Sequence, residues 1–430
     1  MFKFLNQKKF SIFLLMLSGF IFIYTFYKSE LVNNGLIRFY YNQYYIFSFL
    51  LFISSFLIFF LKKNVQNNLF LVFFSITLTL YLLEFLILNK YFFIKDKEYR
   101  DRYQFYNYYK KKDDEIKLTV DPVNYVLKNK DEFFPLSGIS NKKTIHCNES
   151  GNYSIYESDK YGFNNPSSEW NKTNIDFLLI GDSFTHGACV NRPYDIASQL
   201  RKQYNKTSLN LGYSGTGPLI QLATLSEYLP KLKVKNIIWL YFEGNDQTDL
   251  IYELKNDILR NYFNDDYSQN LFLKQNEIDK INNNFLKSKI EQERNLRIKK
   301  YFKLSKVREI IQPVNFFEGY EIVKQPLPSK EFKKVLIKAK KISKINNANL
   351  YFLFLPDFYR YSEVNANDND YKNNEIVDIL DELNIQFIDF HDDIMSKEKD
   401  PLSYYPFRSY NHFNREGYKK IANYIYKKKN

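Results

Sequence analysis

Histidine and cysteine are scarce in this 430-residue chain, with four of the first and two of the second. A metal centre needs His, Cys or carboxylate ligands clustered at ligand spacing, and no stretch has them, so neither a metal site nor another cofactor is expected. The two cysteines, Cys147 and Cys189, can pair in one way only, in an oxidising compartment; the other reading is a buried free thiol at Cys189. Also missing is a dense Arg/Lys patch interleaved with aromatics. The formal charge of +13 is therefore read as solvated surface, and nucleic acid is not expected as a partner. Lys, Asn, Ile, Tyr and Phe are over-used together along the whole chain, a bias that underlies both the charge and the 19% aromatic content.

Apolar sequence is concentrated at the start. The runs 10–27, 44–61 and 69–88 are each long enough to cross a hydrocarbon layer of ~30 Å. The first has a basic flank, Lys8 and Lys9, but lacks a small-residue cleavage site and precedes two further spans, so it reads as a retained anchor. Glu84 is the one acid in the third span and is expected to face the other helices or the interface. Lys3, Lys8, Lys9, Lys62 and Lys63, placed inside, leave everything after residue 89 outside the cytoplasmic membrane. The basic residues Lys90, Lys95, Lys97, Arg100 and Arg102 argue the other way.

Three regions follow: an anchor over 1–94, an irregular juxtamembrane stalk with short strands over 95–170, and an α/β domain over 171–430. In the last, apolar runs at 175–181, 208–212, 236–244, 349–356 and 385–390 alternate with helical periodicities at 193–205, 218–232, 331–345, 374–384 and 414–429. That rhythm predicts a parallel sheet covered on both faces, with ligands at the carboxyl ends of its strands. The charged stretch 247–330 interrupts it and is expected either to cap those strand ends or to form a solvated helical hairpin.

At successive strand ends stand Gly181-Asp182-Ser183, then Gly212 in "NLGYSGTGP", then Gly244-Asn245-Asp246, while His412 precedes the last helix. Ester cleavage needs such a set: a hydroxyl, a base that takes its proton, and donors aimed at the tetrahedral oxyanion. Ser183 is also a natural helix cap, and singly each residue reads as a turn, a loop amide or a core histidine. His186, three residues after Ser183, competes as the base, but its ring is expected to point away. His146 and His391 have no sequence partners that suggest a metal.

With "GDSFTHG" at 181–187, "NLGYSGTGP" at 210–218, "EGND" at 243–246 and His412 before "FNREGY", the sequence resembles the SGNH hydrolases, or GDSL-type esterases, over about 175–428. The resemblance implies a flavodoxin-like three-layer α/β/α sandwich behind three transmembrane helices. It implies Ser183 as nucleophile, His412 as base, and Ser183, Gly212 and Asn245 around the oxyanion, with Asp182 and Asp246 structural beside them. No Gly-x-Ser-x-Gly elbow is present, which argues against the α/β-hydrolase fold. One position departs from the family: Ser409 stands where an Asp three residues before the histidine is usual, and no acid lies between Pro401 and Asn411. A backbone carbonyl, or an acid from elsewhere with Asp392 and Asp393 nearest upstream, is expected to orient His412. Otherwise the enzyme is slow or inactive.

The leading expectation is a membrane-anchored serine esterase acting on O-acyl groups of envelope or surface glycans, with the bilayer and an ester-bearing small molecule or glycan as its partners. An O-acyltransferase with the same site, drawing on a membrane acyl-transfer partner, is the alternative. A degenerate glycan-binding or scaffold domain is the non-enzymatic one.

Overall fold

The computed structural model describes residues 8–32, 35, 38–88, 101–127, 133–305, 307, 329–362 and 374–429. The basic segment at 90–100 and the part of the 247–330 insertion at 308–328 lie outside the described residues. The chain divides into two compact units: Met1–Lys90 with Arg297–Phe316, and Tyr91–Leu296 with Phe317–Asn430.

The first unit contains helices α1 (Lys9–Phe26), α2 (Asn42–Phe59) and α3 (Lys63–Leu88). All three are long and apolar enough to span a membrane. Small polar residues join α1 to α2: Ser11 Oγ donates to the Ser55 carbonyl at 2.8 Å and Ser18 Oγ to the Ser48 carbonyl at 2.9 Å. In hydrocarbon such bonds and the close approach of small residues hold helices together. Glu84, fully buried on α3, accepts the Val307 backbone N–H at 2.7 Å.

The second unit is built on five parallel strands: β4 (Ile175–Ile180), β5 (Ser208–Asn210), β6 (Val234–Phe242), β7 (Asn349–Leu355) and β8 (Gln386–Asp389), in the order β5-β4-β6-β7-β8. This order, 2-1-3-4-5 within the sheet, is the flavodoxin-like one, and its switch point lies where β4 separates β5 from β6. Alternate residues feed two cores. Leu178, Ile180, Ile237, Trp239 and Tyr241 face one side; Phe177, Leu179, Ile238, Leu240 and Phe242 face the other. Such period-2 burial on both faces is what turns a strand into a continuous apolar run.

The chain also contains helices α4 (Arg102–Lys110), α5 (Ser183–His186), α6 (Ile196–Tyr204), α7 (Pro218–Tyr228), α8 (Asp246–Glu253), α9 (Gln275–Phe302), α10 (Ser329–Ile345), α11 (Asn374–Glu382) and α12 (Arg415–Lys429). Apolar residues of α6 and α12 cover one face, and those of α7 and α10 the other.

The segment expected as a stalk is packed protein. Its strands β1 (Lys117–Leu118), β2 (Lys143–Ile145) and β3 (Ile155–Glu157) form a small mixed sheet. Phe105, Phe134, Leu136, Phe163 and Trp170 share the core under α7. Asp159 fixes the end of the segment, accepting from Trp170 Nε1 at 2.7 Å, Asn165 Nδ2 at 2.8 Å and the N–H groups of Tyr161 and Phe163. Asn165 in turn exchanges two 2.8 Å bonds with the backbone of Asn210 at the end of β5. Turn-rich composition concealed these aromatic anchors, because a few buried rings hold a segment whose remaining residues are polar.

The insertion is not simply a solvated hairpin: on its long helix α9, Ile278 is fully buried, Asn282 accepts from Tyr125 Oη at 2.8 Å and Asp279 accepts from Ser140 Oγ at 2.6 Å.

Candidate active site

Strand β4 ends at Gly181, whose φ of +156° and crowded surroundings turn the chain: an added Cβ would lie 2.1 Å from Thr185 Oγ1. Asp182 then caps α5 by accepting the Phe184 N–H at 2.9 Å. Ser183 is the first residue of that helical turn, so its own N–H lacks an intrahelical acceptor. Burial pushes the Asp182 carboxyl up to about 6, against the pull of the His412 charge.

His412 lies 229 positions downstream, and its Nε2 is 2.8 Å from Ser183 Oγ. The ring is held against Phe184, centroid to centroid 4.8 Å, and Phe184 stacks on Phe242 at 4.0 Å. Behind it stands Glu149. One carboxylate oxygen is 2.8 Å from His412 Nδ1, and the other accepts the His412 backbone N–H at 2.8 Å. The two side chains are 24% and 20% exposed, so the pair is substantially shielded from water. A carboxylate at Nδ1 fixes the tautomer that leaves Nε2 free to accept the Ser183 proton, and it stabilises the imidazolium that results.

Of the alternatives left open for the group at His412 Nδ1, an acid from elsewhere in the chain is the one present, and it is Glu149 and not Ser409, Asp392 or Asp393. Ser409 is exposed, with its N–H on the Pro406 carbonyl. Asp393 is engaged by Tyr424 and Lys428, and Asp392 is exposed with Ser396 Oγ on its carbonyl, so neither of these acids orients His412. No spacing rule could find Glu149, 263 positions from the histidine it contacts. The available signal was Cys147: the two cysteines form a disulfide, with Cα atoms 5.0 Å apart, which brings 147–149 beside the turn that carries Ser183.

One oxyanion assignment changes. The Gly212 N–H donates to Asn210 Oδ1 at 2.9 Å, so it is occupied. An added Cβ there would lie 2.4 Å from Thr185, so the glycine serves the packing of β5's end against α5 and not the approach of a substrate. Gly215, three residues on, has a φ of +67°, and its N–H has no acceptor among the described residues. Its turn is fastened beside the Ser183 turn, because Tyr213 N and Thr216 Oγ1 both donate to the Gly181 carbonyl, at 3.2 Å each. Asn245 Nδ2 donates to Asp249 Oδ2 at 2.8 Å, which leaves its second hydrogen uncommitted by that bond.

Buried acids support this rim. Asp246 accepts the Phe242 N–H at 3.0 Å and is raised well above the usual carboxyl range by burial and by the charges of Asp182 and Asp249. Burial and the Asp182 charge push Asp249 up to about 7. Burial and the Asp249 charge push Glu253 up to about 8, and its carboxyl accepts the N–H groups of Gly217, Leu219 and Ile220 at the start of α7.

The other histidines are accounted for. His186 is fully buried, stacked on His146 at 4.5 Å, with Nδ1 3.3 Å from Ser214 Oγ. Burial and the His412 charge lower it to about 3, so it stays neutral, and its Nδ1 is engaged by Ser214. His146 Nε2 is 2.8 Å from the same Ser214 hydroxyl. His391 Nδ1 is 2.7 Å from Tyr361 Oη. Glu149, Cys189 and His412 bring ligand-type atoms within 4.8 Å of one another, but the Cys189 sulfur is committed to the disulfide and offers no thiolate to a metal.

Residues 179–420 match the model of the GDSL-like Lipase/Acylhydrolase family. No curated protein matches the chain. Among solved structures, the acetyl xylan esterase AlAXEase is 12% identical with a TM-score of 0.33, over 59% of this chain and 99% of that one. The psychrotrophic esterase EstA from Pseudoalteromonas sp. is 13% identical with a TM-score of 0.29, over 60% and 96% respectively.

Proposed function

Because the chain belongs to the GDSL-like lipase/acylhydrolase family and is an ester-hydrolysing enzyme, we propose that Ser183, His412 and Glu149 are its nucleophile, base and orienting acid. The observation that carries this is the continuous pair of 2.8 Å contacts, Ser183 Oγ to His412 Nε2 and His412 Nδ1 to Glu149 Oε1. Ser183 Oγ attacks the ester carbonyl as its proton passes to Nε2. The tetrahedral oxyanion is met by the N–H groups of Ser183 and Gly215 and by the second hydrogen of Asn245 Nδ2. The intermediate collapses, its C–O bond to the alcohol breaks, and Nε2 returns the proton to the departing oxygen. Water then repeats the sequence on the acyl-serine, releasing the acid and restoring Ser183.

The site further proposed is extracytoplasmic, on a chain anchored by α1–α3, and its substrates are O-acyl groups on envelope or surface glycans. The disulfide supports the compartment, since such bonds persist where the surroundings are oxidising. The lysines flanking the spans support the same orientation. The scaffold alternative rested on a missing acid, and the Glu149 carboxylate at His412 Nδ1 counts against it.

A fluorophosphonate probe tests the enzymatic core on the full chain in detergent. Labelling of wild type and its loss in Ser183→Ala are expected, and equal labelling of the two refutes the assignment. With an acetylated oligosaccharide, free acetate supports the esterase, whereas acetate appearing only on an added sugar acceptor establishes the transferase.

A further inference from the structure

We propose that the Cys147–Cys189 disulfide is a positioning device for the orienting acid, and that hydrolysis by this enzyme therefore depends on that bond being oxidised; this rests on the Ser183–His412–Glu149 reading. Glu149 sits two residues beyond Cys147, in a loop closed by the Ser154 N–H on the Cys147 carbonyl at 2.8 Å. The tip of that loop, 150–152, is exposed. The sulfur of Cys189 lies within 4.8 Å of the ligand atoms of both Glu149 and His412, so the crosslink meets the catalytic pair directly. Cys189 itself is fastened to the nucleophile's surroundings, because the Ala188 N–H donates to the Ser183 carbonyl at 3.0 Å and the Ala188 carbonyl accepts from Tyr418 Oη of α12 at 3.2 Å. The crosslink thus ties an exposed loop to the rigid element that carries Ser183.

One attachment precedes the crosslink, since the buried His146 Nε2 is 2.8 Å from Ser214 Oγ; others lie on the far limb. Asn191 Oδ1 accepts the Ile155 N–H at 2.8 Å, and Arg192 donates to the Glu157 carbonyl at 2.9 Å, both on β3. They hold the strand after the loop, while Glu149 lies before the tip. The crosslink restricts the freedom of that loop, which the two Glu149–His412 bonds would otherwise have to offset.

Cys147 is partly exposed and Cys189 buried, so Cys147 Sγ is the sulfur open to attack. A thiolate of a dithiol reductant forms a bond to Cys147 Sγ as the S–S bond breaks and Cys189 leaves as a thiolate, which takes up a proton. The second thiol of the reductant displaces Cys147 and closes a cyclic disulfide. Two electrons and two protons are transferred, and the chain ends with two free thiols.

The test uses the full-length chain in detergent, with an aryl acetate as substrate and dithiothreitol as reductant. Thiol alkylation read by mass confirms the redox state. Reduction is expected to lower kcat of the wild type by about 10²-fold, with KM changed by less than about threefold and recovery on reoxidation with oxidised glutathione. Glu149→Gln is expected to be as slow before reduction and no slower after it, because both perturbations remove one interaction. Full wild-type kcat with both thiols free overturns the proposal. So does reduction that slows Glu149→Gln by the same factor as wild type, since the bond would then support the fold in general. If Glu149→Gln itself keeps wild-type kcat, the assignment of the acid fails, and the proposal fails with it. Cys147→Ser, which cannot be reoxidised, must match the reduced wild type.

Discussion

Replacing Glu149 by Gln keeps the size of the side chain and removes only its charge and one acceptor. Glu149 accepts twice from His412, once from the ring and once from the backbone N–H. A carboxamide has one oxygen and one NH₂, so it cannot accept both. If its oxygen takes the ring N–H, its NH₂ faces the backbone N–H, donor against donor. If its oxygen takes the backbone N–H, its NH₂ points at Nδ1, and the ring must then carry its proton on Nε2, where it cannot accept from Ser183. The lost charge adds to this: a unit pair about 4 Å apart at an effective dielectric of about 20 is worth about 4 kcal/mol, or roughly 10³-fold in rate. Partial exposure of the pair reduces that figure and the tautomer conflict raises it, so kcat is expected to fall between about 10² and 10⁴-fold. The assay is steady-state release of p-nitrophenol from its acetate, with the melting midpoint as control for folding. A fall of less than about fivefold in a folded variant refutes the assignment.

Asn245→Ala is expected to lower kcat by about 10²-fold or more with little change in KM, because a donor that acts on the oxyanion is lost; an effect confined to KM contradicts that role. Stability should fall as pH rises from 6.5 to 8. The folded chain holds protons on Asp249, up to about 7, and Glu253, up to about 8, that the unfolded chain has already released. The limit is about 1.4 kcal/mol per pH unit for each group, and Glu253→Gln should flatten the slope of the melting midpoint. Below 6.5 the sign reverses for His146 and His186, held neutral by burial, so stability they contribute is lost as acid protonates the unfolded chain. Asp159→Ala is expected to cost about 3 kcal/mol and lower the tryptophan-monitored melting midpoint, since Trp170 Nε1 and two buried N–H groups lose their acceptor. An unchanged midpoint would show that 101–170 does not fold cooperatively with the sheet.

Reading the sequence alone singled out Ser183 and His412, which lie 2.8 Å apart in the structure, because Ser183 sits where an apolar run stops and His412 just before a helix starts, and period 2 and period 3.6 mark such ends locally. The five-stranded parallel sheet followed from the same alternation. Gly212 was misread because composition says that a glycine permits close approach and not what approaches: here it is Thr185. The polar segment before the sheet was misread as a stalk for a related reason, since the partners of Phe105, Phe163 and Trp170 lie far away in the chain.

What the sequence determined by itself is everything set by neighbours along the chain: three apolar spans, the strand order's raw material, and the serine turn with its cap. Only the tertiary structure decided which acid meets the His412 ring. That choice depends on a contact across 263 positions and on a crosslink between Cys147 and Cys189, and no local periodicity reports either of them.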